Sequence, residues 1–122
     1  MLNLDTHIVI DILVGHLSPK EEKLISSSSW AISDIVLWEI FKLNQMGRIE
    51  IDLEDIEIKN FFKAIQIIPI SFEIIKFMDD LDFKSDPADE IIAATSIALK
   101  IPLVTHDTKI LKSKKVPLLK GY

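Results

Sequence analysis

The chain has no cysteine. That absence removes disulfides, thiolate zinc sites and a cysteine nucleophile together, and it fits a reducing, cytoplasmic setting. Long apolar runs are missing too. None approaches the ~18 residues that span a membrane, so no membrane is expected among the partners. The opening Met1-Leu2-Asn3-Leu4-Asp5 has neither a basic n-region nor a cleavable apolar stretch, and no signal peptide is read there. The three histidines, His7, His16 and His106, do not have zinc-ligand spacing. Positive charge is also in deficit, with 14 Lys+Arg against 19 Asp+Glu and a formal net charge of −5. A protein that merely coats nucleic acid is usually basic. An enzyme whose acidic site holds a divalent cation is compatible with this balance.

What is present is apolar. Of 122 residues, 48% are hydrophobic, which predicts one globular domain over 1–122 with one core rather than a disordered chain. The clearest local signal is Asp86-Pro87-Ala88-Asp89-Glu90-Ile91-Ile92-Ala93-Ala94-Thr95. Asp86 suits an N-cap whose carboxylate accepts from first-turn N–H groups, Pro87 suits N1, and Asp89 falls at N3. Two carboxylates in one turn exceed what capping needs. Either both serve the helix dipole, or the second faces a pocket and binds a cation.

Taken in order, Leu2–Leu4 reads as a short buried strand ended by Asp5. Thr6–Val14 has helical apolar spacing and stops at Gly15. Ser18-Pro19-Lys20-Glu21 is a capping box for a helix to about Ile25. Trp30–Ile32 is the second strand, and Ser33 caps a helix through Leu43 that stops at Gly47. Leu53 to about Gln66 suits an amphipathic helix. Ile67–Ile70 is the third strand, placed at a sheet edge by Pro69. Ser71 caps a helix to about Asp80. Pro102–Thr105 is the fourth strand, Thr108–Leu111 a short helix, and Val116–Leu118 a short fifth strand. Strands alternating with helices predict crossovers, hence an α/β fold with a mostly parallel sheet of four to five strands and helices on both faces.

In such sheets ligands bind outside the carboxyl ends of the strands. Asp5 follows the first strand and Asp107 the fourth. Glu39 lies in the second turn of the helix after strand two, and Asp89 in the first turn of the helix before strand four. Each has a plain alternative: Asp5 and Asp107 can cap the helices they precede, and Asp89 can serve the dipole. Glu39 is the hardest to dismiss, because it sits on an otherwise apolar face with Val36, Leu37, Ile40 and Leu43. Together the four charges repel unless a cation neutralises them. An all-oxygen set suits Mg²⁺ or Mn²⁺. Such a metal can polarise a phosphoryl oxygen and activate water, which makes a phosphodiester the natural substrate, with Asp89 or Asp107 orienting the water. Lys109, Lys112, Lys114, Lys115 and Lys120 crowd the C-terminal stretch, as solvated surface or, for Lys112, Lys114 and Lys115, as an RNA-binding strip.

Four pieces, in order, resemble PIN-domain ribonucleases of the VapC toxin type. They are Leu4-Asp5-Thr6-His7, Ser33 through Leu37-Trp38-Glu39-Ile40, the Asp86-Pro87-Ala88-Asp89 helix start with its Ile-Ala-Ala-Thr continuation, and Leu103-Val104-Thr105-His106-Asp107. Gly47-Arg48-Ile49-Glu50 is similar to that family's connection after the second acidic motif. The resemblance implies a three-layer α/β/α sandwich. It also implies a Mg²⁺- or Mn²⁺-dependent endoribonuclease, usually dimeric, held inactive by a cognate antitoxin. Its catalytic and metal-binding set is Asp5, Glu39, Asp89 and Asp107. Asp86 matches an extra acid of one subgroup and is either a ligand or only a helix cap. Thr6 and Thr105 match polar residues beside the metal. Glu90 and His106 depart from the family pattern, and Glu90 is expected to add negative charge near the site. Rival readings are a phosphoaspartyl receiver, which needs an acidic pair near strand one, and a haloacid-dehalogenase-type phosphatase, which needs Asp-x-Asp where the chain has Asn3-Leu4-Asp5. The non-enzyme alternative is a catalytically silent PIN-like RNA- or protein-binding scaffold, which a missing carboxylate would signal.

Overall fold

The computed structural model of the protein describes residues 1–121. Every strand pairing in it is parallel. β1 (Leu2–Leu4) lies between β2 (Trp30–Ser33) and β4 (Leu103–Val104), and β3 (Gln66–Ile68) lies outside β2, giving the order β3-β2-β1-β4. Asn3 stands opposite both Ala31 and Leu103. Among the described residues seven helices connect and flank the strands: α1 (Thr6–Val14), α2 (Pro19–Ile25), α3 (Asp34–Gln45), α4 (Ile56–Ala64), α5 (Phe72–Lys76), α6 (Pro87–Leu99) and α7 (Thr108–Leu111). A single 3-10 turn, Phe77–Asp80, follows α5. Right-handed crossovers put the helices between β1 and β3 on one face and those between β3 and β4 on the other, an α/β/α sandwich.

Local chemistry explains most boundaries. Ser18 and Glu21 form the capping box of α2, and Ser33 and Ser71 accept from the first-turn N–H groups of Ile35 and Ile74. Gly15 closes α1 at φ 77°, a left-handed conformation that lacks a steric cost only for glycine. The core is built from Leu4, Ile8, Val9, Ile32, Val36, Ile92, Leu103 and Val104, all at or near zero exposure. Burying each such side chain contributes about 1.5–3 kcal/mol. A smaller cluster joins Ala31, Ile68, Ile74 and Ala94.

Four sequence expectations shift. α4 starts at Ile56, not Leu53, because Asp52 turns the chain by accepting from Glu54 N and Asp55 then supplies the cap to Glu57 N. β3 ends before Pro69, so its edge position comes from strand order, not from proline. The fourth strand contracts to Leu103–Val104, since Pro102 has no N–H. The fifth strand reduces to one parallel bridge, Leu103 to Leu118, with Leu103 N donating to Pro117 O (2.8 Å) and Leu119 N to Leu103 O (2.9 Å). Pro117 cannot donate, so the pairing goes no further.

The sheet order reverses direction at β1. The chain steps from β1 outward to β2 and β3, then returns to β4 on β1's other side. The crevice at a parallel sheet's carboxyl edge opens at such a point, here between the ends of β1 and β4.

Candidate functional site

Asp5 sits at that crevice. Its backbone is still tied to the sheet, with Asp5 N donating to Val104 O (3.0 Å). Its carboxylate is divided. Oδ1 accepts from Thr6 N (2.8 Å), capping α1, and Oδ2 accepts from the Thr105 hydroxyl (2.6 Å). Capping therefore uses one oxygen only, and Asp5 is 3% exposed. Burial raises its pKa above the ordinary 3.8. Thr105 and Thr6 N–H partly offset this, the Asp89 charge adds to it, and His7 opposes it.

Glu39 projects from α3 toward the same place. Its Oε1 accepts from the Thr6 hydroxyl at 2.5 Å. Burial raises its pKa as well, against the Thr6 bond, and the Asp89 and Asp5 charges raise it further. Asp89, in the first turn of α6, accepts from the Ser85 hydroxyl through Oδ2 (2.8 Å). Asp5, Glu39 and Asp89 thus feel one another's charge, and each is held by a different hydroxyl. Among the described residues no lysine or arginine forms an ion pair with any of them.

Asp107 is different. Its Oδ1 accepts from both Lys109 N (2.8 Å) and Ile110 N (3.1 Å), which makes it the N-cap of α7. It shares with Asp5, His7, Asp11 and His106 a cavity of about 340 Å³. On the cavity's rim, His106 Nε2 bonds Glu21 of α2, and its Nδ1 lies 3.9 Å from Asp11 of α1. Burial tends to raise Glu21, but the bonds from His106 and Ser18 outweigh it and leave its pKa below the ordinary 4.5.

One acidic expectation needs correction. Asp86 occupies the N-cap position of α6, but its side chain makes no capping hydrogen bond. It lines an apolar cavity with Ile35, Trp38, Glu39 and Ile91 instead. Glu90 accepts from the backbone N–H of Ser85 (2.9 Å), the residue whose hydroxyl bonds Asp89. Lys112, Lys114 and Lys115 are exposed on the segment after α7. Asp82 pins that segment, accepting from the Ser113 hydroxyl (2.5 Å) and Lys114 N (2.8 Å).

Sequence reasoning missed Ser85, Asn3 and the His106 contacts. Ser85 had a signal, a hydroxyl four residues before Asp89. Asn3 had one too, a lone polar side chain between Leu2 and Leu4. The His106–Glu21 bond joins residues 85 apart, and nothing local announces it.

The donors around Asp5, Glu39 and Asp89 are oxygens only, which fits a hard divalent cation. Burial, with the neighbouring carboxylate charges added to it, raises Asp5 and Glu39, and such a cation would offset both. As placed, among the described residues no three His, Asp or Glu side chains are grouped to hold one ion.

By sequence, no curated protein matches the chain. Solved structures do. VapBC2 from Rickettsia felis, bound to a DNA fragment from its promoter, is similar at TM-score 0.72 and 21% identity over 97% of each chain. A toxin–antitoxin complex from Klebsiella pneumoniae is similar at TM-score 0.73 and 20% identity over 100% of this chain and 98% of that one. FitAcB from Neisseria gonorrhoeae gives 0.70 and 17% over 98% and 97%. At these identities the likeness is one of fold. The family model for the PIN domain matches residues 3–116, from β1 through the segment after α7. The chain belongs to the PIN-domain family.

Proposed function

We propose that the protein is a Mg²⁺- or Mn²⁺-dependent endoribonuclease, the VapC-type toxin of a toxin–antitoxin pair, working as one nuclease domain over 1–122. The observation that carries this reading is the group of Asp5, Glu39 and Asp89. Asp5 and Glu39 are each within reach of the Asp89 charge, and among the described residues all three have hydroxyl partners and no lysine or arginine ion pair; as placed they are not yet grouped around one ion.

In this reading Asp5, Glu39 and Asp89 hold the cation. Asp107 contributes the oxygen not used in capping α7, and Asp86 stands beside Glu39 as a further acid. When bound, the cation supplies polarisation of a phosphoryl oxygen and charge neutralisation at the leaving oxygen. The chain's own residues do the rest. Thr105 and Thr6 fix the rotamers of Asp5 and Glu39; Asp5, with one hydrogen bond on each oxygen, would offer its remaining lone pairs, and Glu39 the oxygen that Thr6 does not use. Ser85 does the same for Asp89 by donating to its Oδ2, and the other oxygen would be the one offered to a cation. Asp89 or Asp107 accepts a hydrogen bond from the attacking water and orients it toward phosphorus. RNA enters over the open side, where Lys112, Lys114 and Lys115 offer phosphate contacts.

The antitoxin partner is supported by a second surface. An apolar groove of about 520 Å³, lined by Leu37, Trp38, Phe41, Leu53 and Phe62, runs between α3 and the segment through α4. Trp38 and Phe41 are exposed. The similar solved structures include toxin–antitoxin complexes. A homodimer and a cytoplasmic site of action belong to the same reading, and among the described residues no helix is long and apolar enough to cross a membrane.

The test is cleavage of a mixed cellular RNA pool by purified protein in Mg²⁺ or Mn²⁺, beside Asp89→Asn and a chelator control. Cleavage lost in both controls supports the reading. Cleavage that survives in Asp89→Asn rejects the site assignment.

A further inference from the structure

β1 is a central strand of the sheet, and all three of its residues are buried. Strands in that position are ordinarily apolar throughout. Asn3 is the exception, at 0% exposure. Its Nδ2 donates to Ile92 O (3.2 Å) and to the Ser96 hydroxyl (2.9 Å), both on α6. Its Oδ1 is buried without a hydrogen-bond partner among the described residues. An amide half satisfied in a core is costly, and an aliphatic side chain there would avoid the cost. The residue therefore calls for a role other than stability.

Its place in the fold supplies one. Asn3 and Asp5 are two residues apart on extended backbone, so both side chains leave the same face of β1. Asp89, Ile92 and Ser96 follow the i, i+3, i+7 spacing of one helix face. The pair on β1 therefore meets the triple on α6. The spacings agree. Two strand residues rise about 6.6 Å. The five residues from the middle of the Ile92–Ser96 step back to Asp89 rise about 7.5 Å. With the amide bonded where it is, Asp89 comes level with Asp5, and the two charges are coupled. Apolar packing of Ile92 and Ala93 in the core with Leu2 and Leu4 would not by itself choose this axial setting, because hydrophobic burial is non-directional. A single buried polar contact does choose it, and fixing register is the best-attested use of such groups.

We propose that Asn3 is a positioning residue for the acidic site: its buried amide fixes the axial setting of α6 on β1 and so holds Asp89 level with Asp5. The inference rests on the reading that Asp5 and Asp89 share a divalent cation. Its test therefore has one arm with metal and one without.

In the first arm, Mn²⁺ affinity is titrated calorimetrically for the full chain, Asn3→Leu, Ser96→Ala and Asp89→Asn, with the metal-free melting midpoint of each. Asn3→Leu is expected to keep or raise the midpoint, because it keeps volume and removes the orphan oxygen, and to weaken Mn²⁺ binding about tenfold. Ser96→Ala is expected to weaken it less. A merely structural Asn3 would lower the midpoint and leave Mn²⁺ affinity alone, and that result overturns the proposal. If Asn3→Leu does not fold, Ser96→Ala decides in the same way. If the parent chain binds no Mn²⁺, the metal reading fails, and the second arm decides the latch. A crystal structure of the metal-free variant, Asn3→Leu or Ser96→Ala, then shows α6 displaced along its axis against β1, or shows it unmoved, which overturns the proposal.

Discussion

Two acidic groups flank the same crevice and are satisfied in opposite ways. Asp107 and Glu21, on one side, have donors enough: two backbone N–H groups for Asp107, and His106 with Ser18 for Glu21. Asp5, Glu39 and Asp89, on the other, have one hydroxyl each, with a single backbone N–H more for Asp5, and one another's charge. Proximity to a sheet edge is common to both groups and does not distinguish them. What distinguishes them is uncompensated negative charge. A carboxylate whose charge is already met by backbone N–H groups gains little from a cation, whereas one held up by burial and like charge gains a great deal.

The sharpest way to break that contrast is exchange of carboxylate for amide on each side. Asp89→Asn should lower RNA cleavage by about 10³-fold with the fold intact. Asp107→Asn keeps a capping side chain and should lower it only about tenfold. Equal losses in single-turnover assays would erase the distinction. Metal-dependent stability comes next. At about a hundred times its Kd, Mn²⁺ should stabilise the protein by about 2.7 kcal/mol, a rise of roughly 10 °C in Tm. Asp89→Asn should abolish the rise, and Asp107→Asn should keep most of it. Identical scans in chelator and in Mn²⁺ would show that the first group has no excess charge for a cation to relieve.

The pH dependence should differ in sign between the groups. Asp5 and Glu39 have folded pKa values above their ordinary 3.8 and 4.5. The folded state then binds protons more tightly than the unfolded. The resulting penalty is full above the folded values, is relieved as pH falls through them, and is gone below the ordinary values. Glu21 is lowered below 4.5, so its contribution is present above that value and is lost as pH falls through the folded one. Metal-free protein should therefore become more stable as pH falls through the folded values of Asp5 and Glu39, and lose stability as pH falls below 4.5 through that of Glu21. A steady decline across thermal scans would contradict this. The smallest effect lies outside both groups. Replacing Lys112, Lys114 and Lys115 with Gln should reduce the slope of RNA affinity against salt by about 0.7 for each phosphate that is no longer neutralised. An unchanged slope would return these lysines to solvated surface.

Much of the fold was legible because its signals are local. Capping residues, Gly15 and the apolar periods of α1, α2 and α3 each act within a few residues. The acidic edge was legible too, since parallel topology alone carries Asp5, Glu39, Asp89 and Asp107 to one end. What was illegible depends on which atom a side chain reaches. Asp86 looked like a cap by position, yet it leaves the first turn unbonded and lines an apolar wall. Glu90 read as charge near the site, and which group it would bond, the backbone N–H of Ser85, was not in the pattern. No periodicity encodes the choice between two acceptors, and none joins His106 to Glu21.

The bond from Thr105 to Asp5 spans 100 residues, and the latch from Asn3 to Ser96 spans 93. Both tie the opening strand and the residue that ends it to the last quarter of the chain. During synthesis β1 emerges first and waits with an open edge until β4 arrives. Loop closure of that length is slow relative to helix formation. The acidic cluster is therefore completed late: before α6 and β4 are made, Glu39 already has Thr6, but Asp89 is missing and so is the Thr105 hydroxyl that orients Asp5.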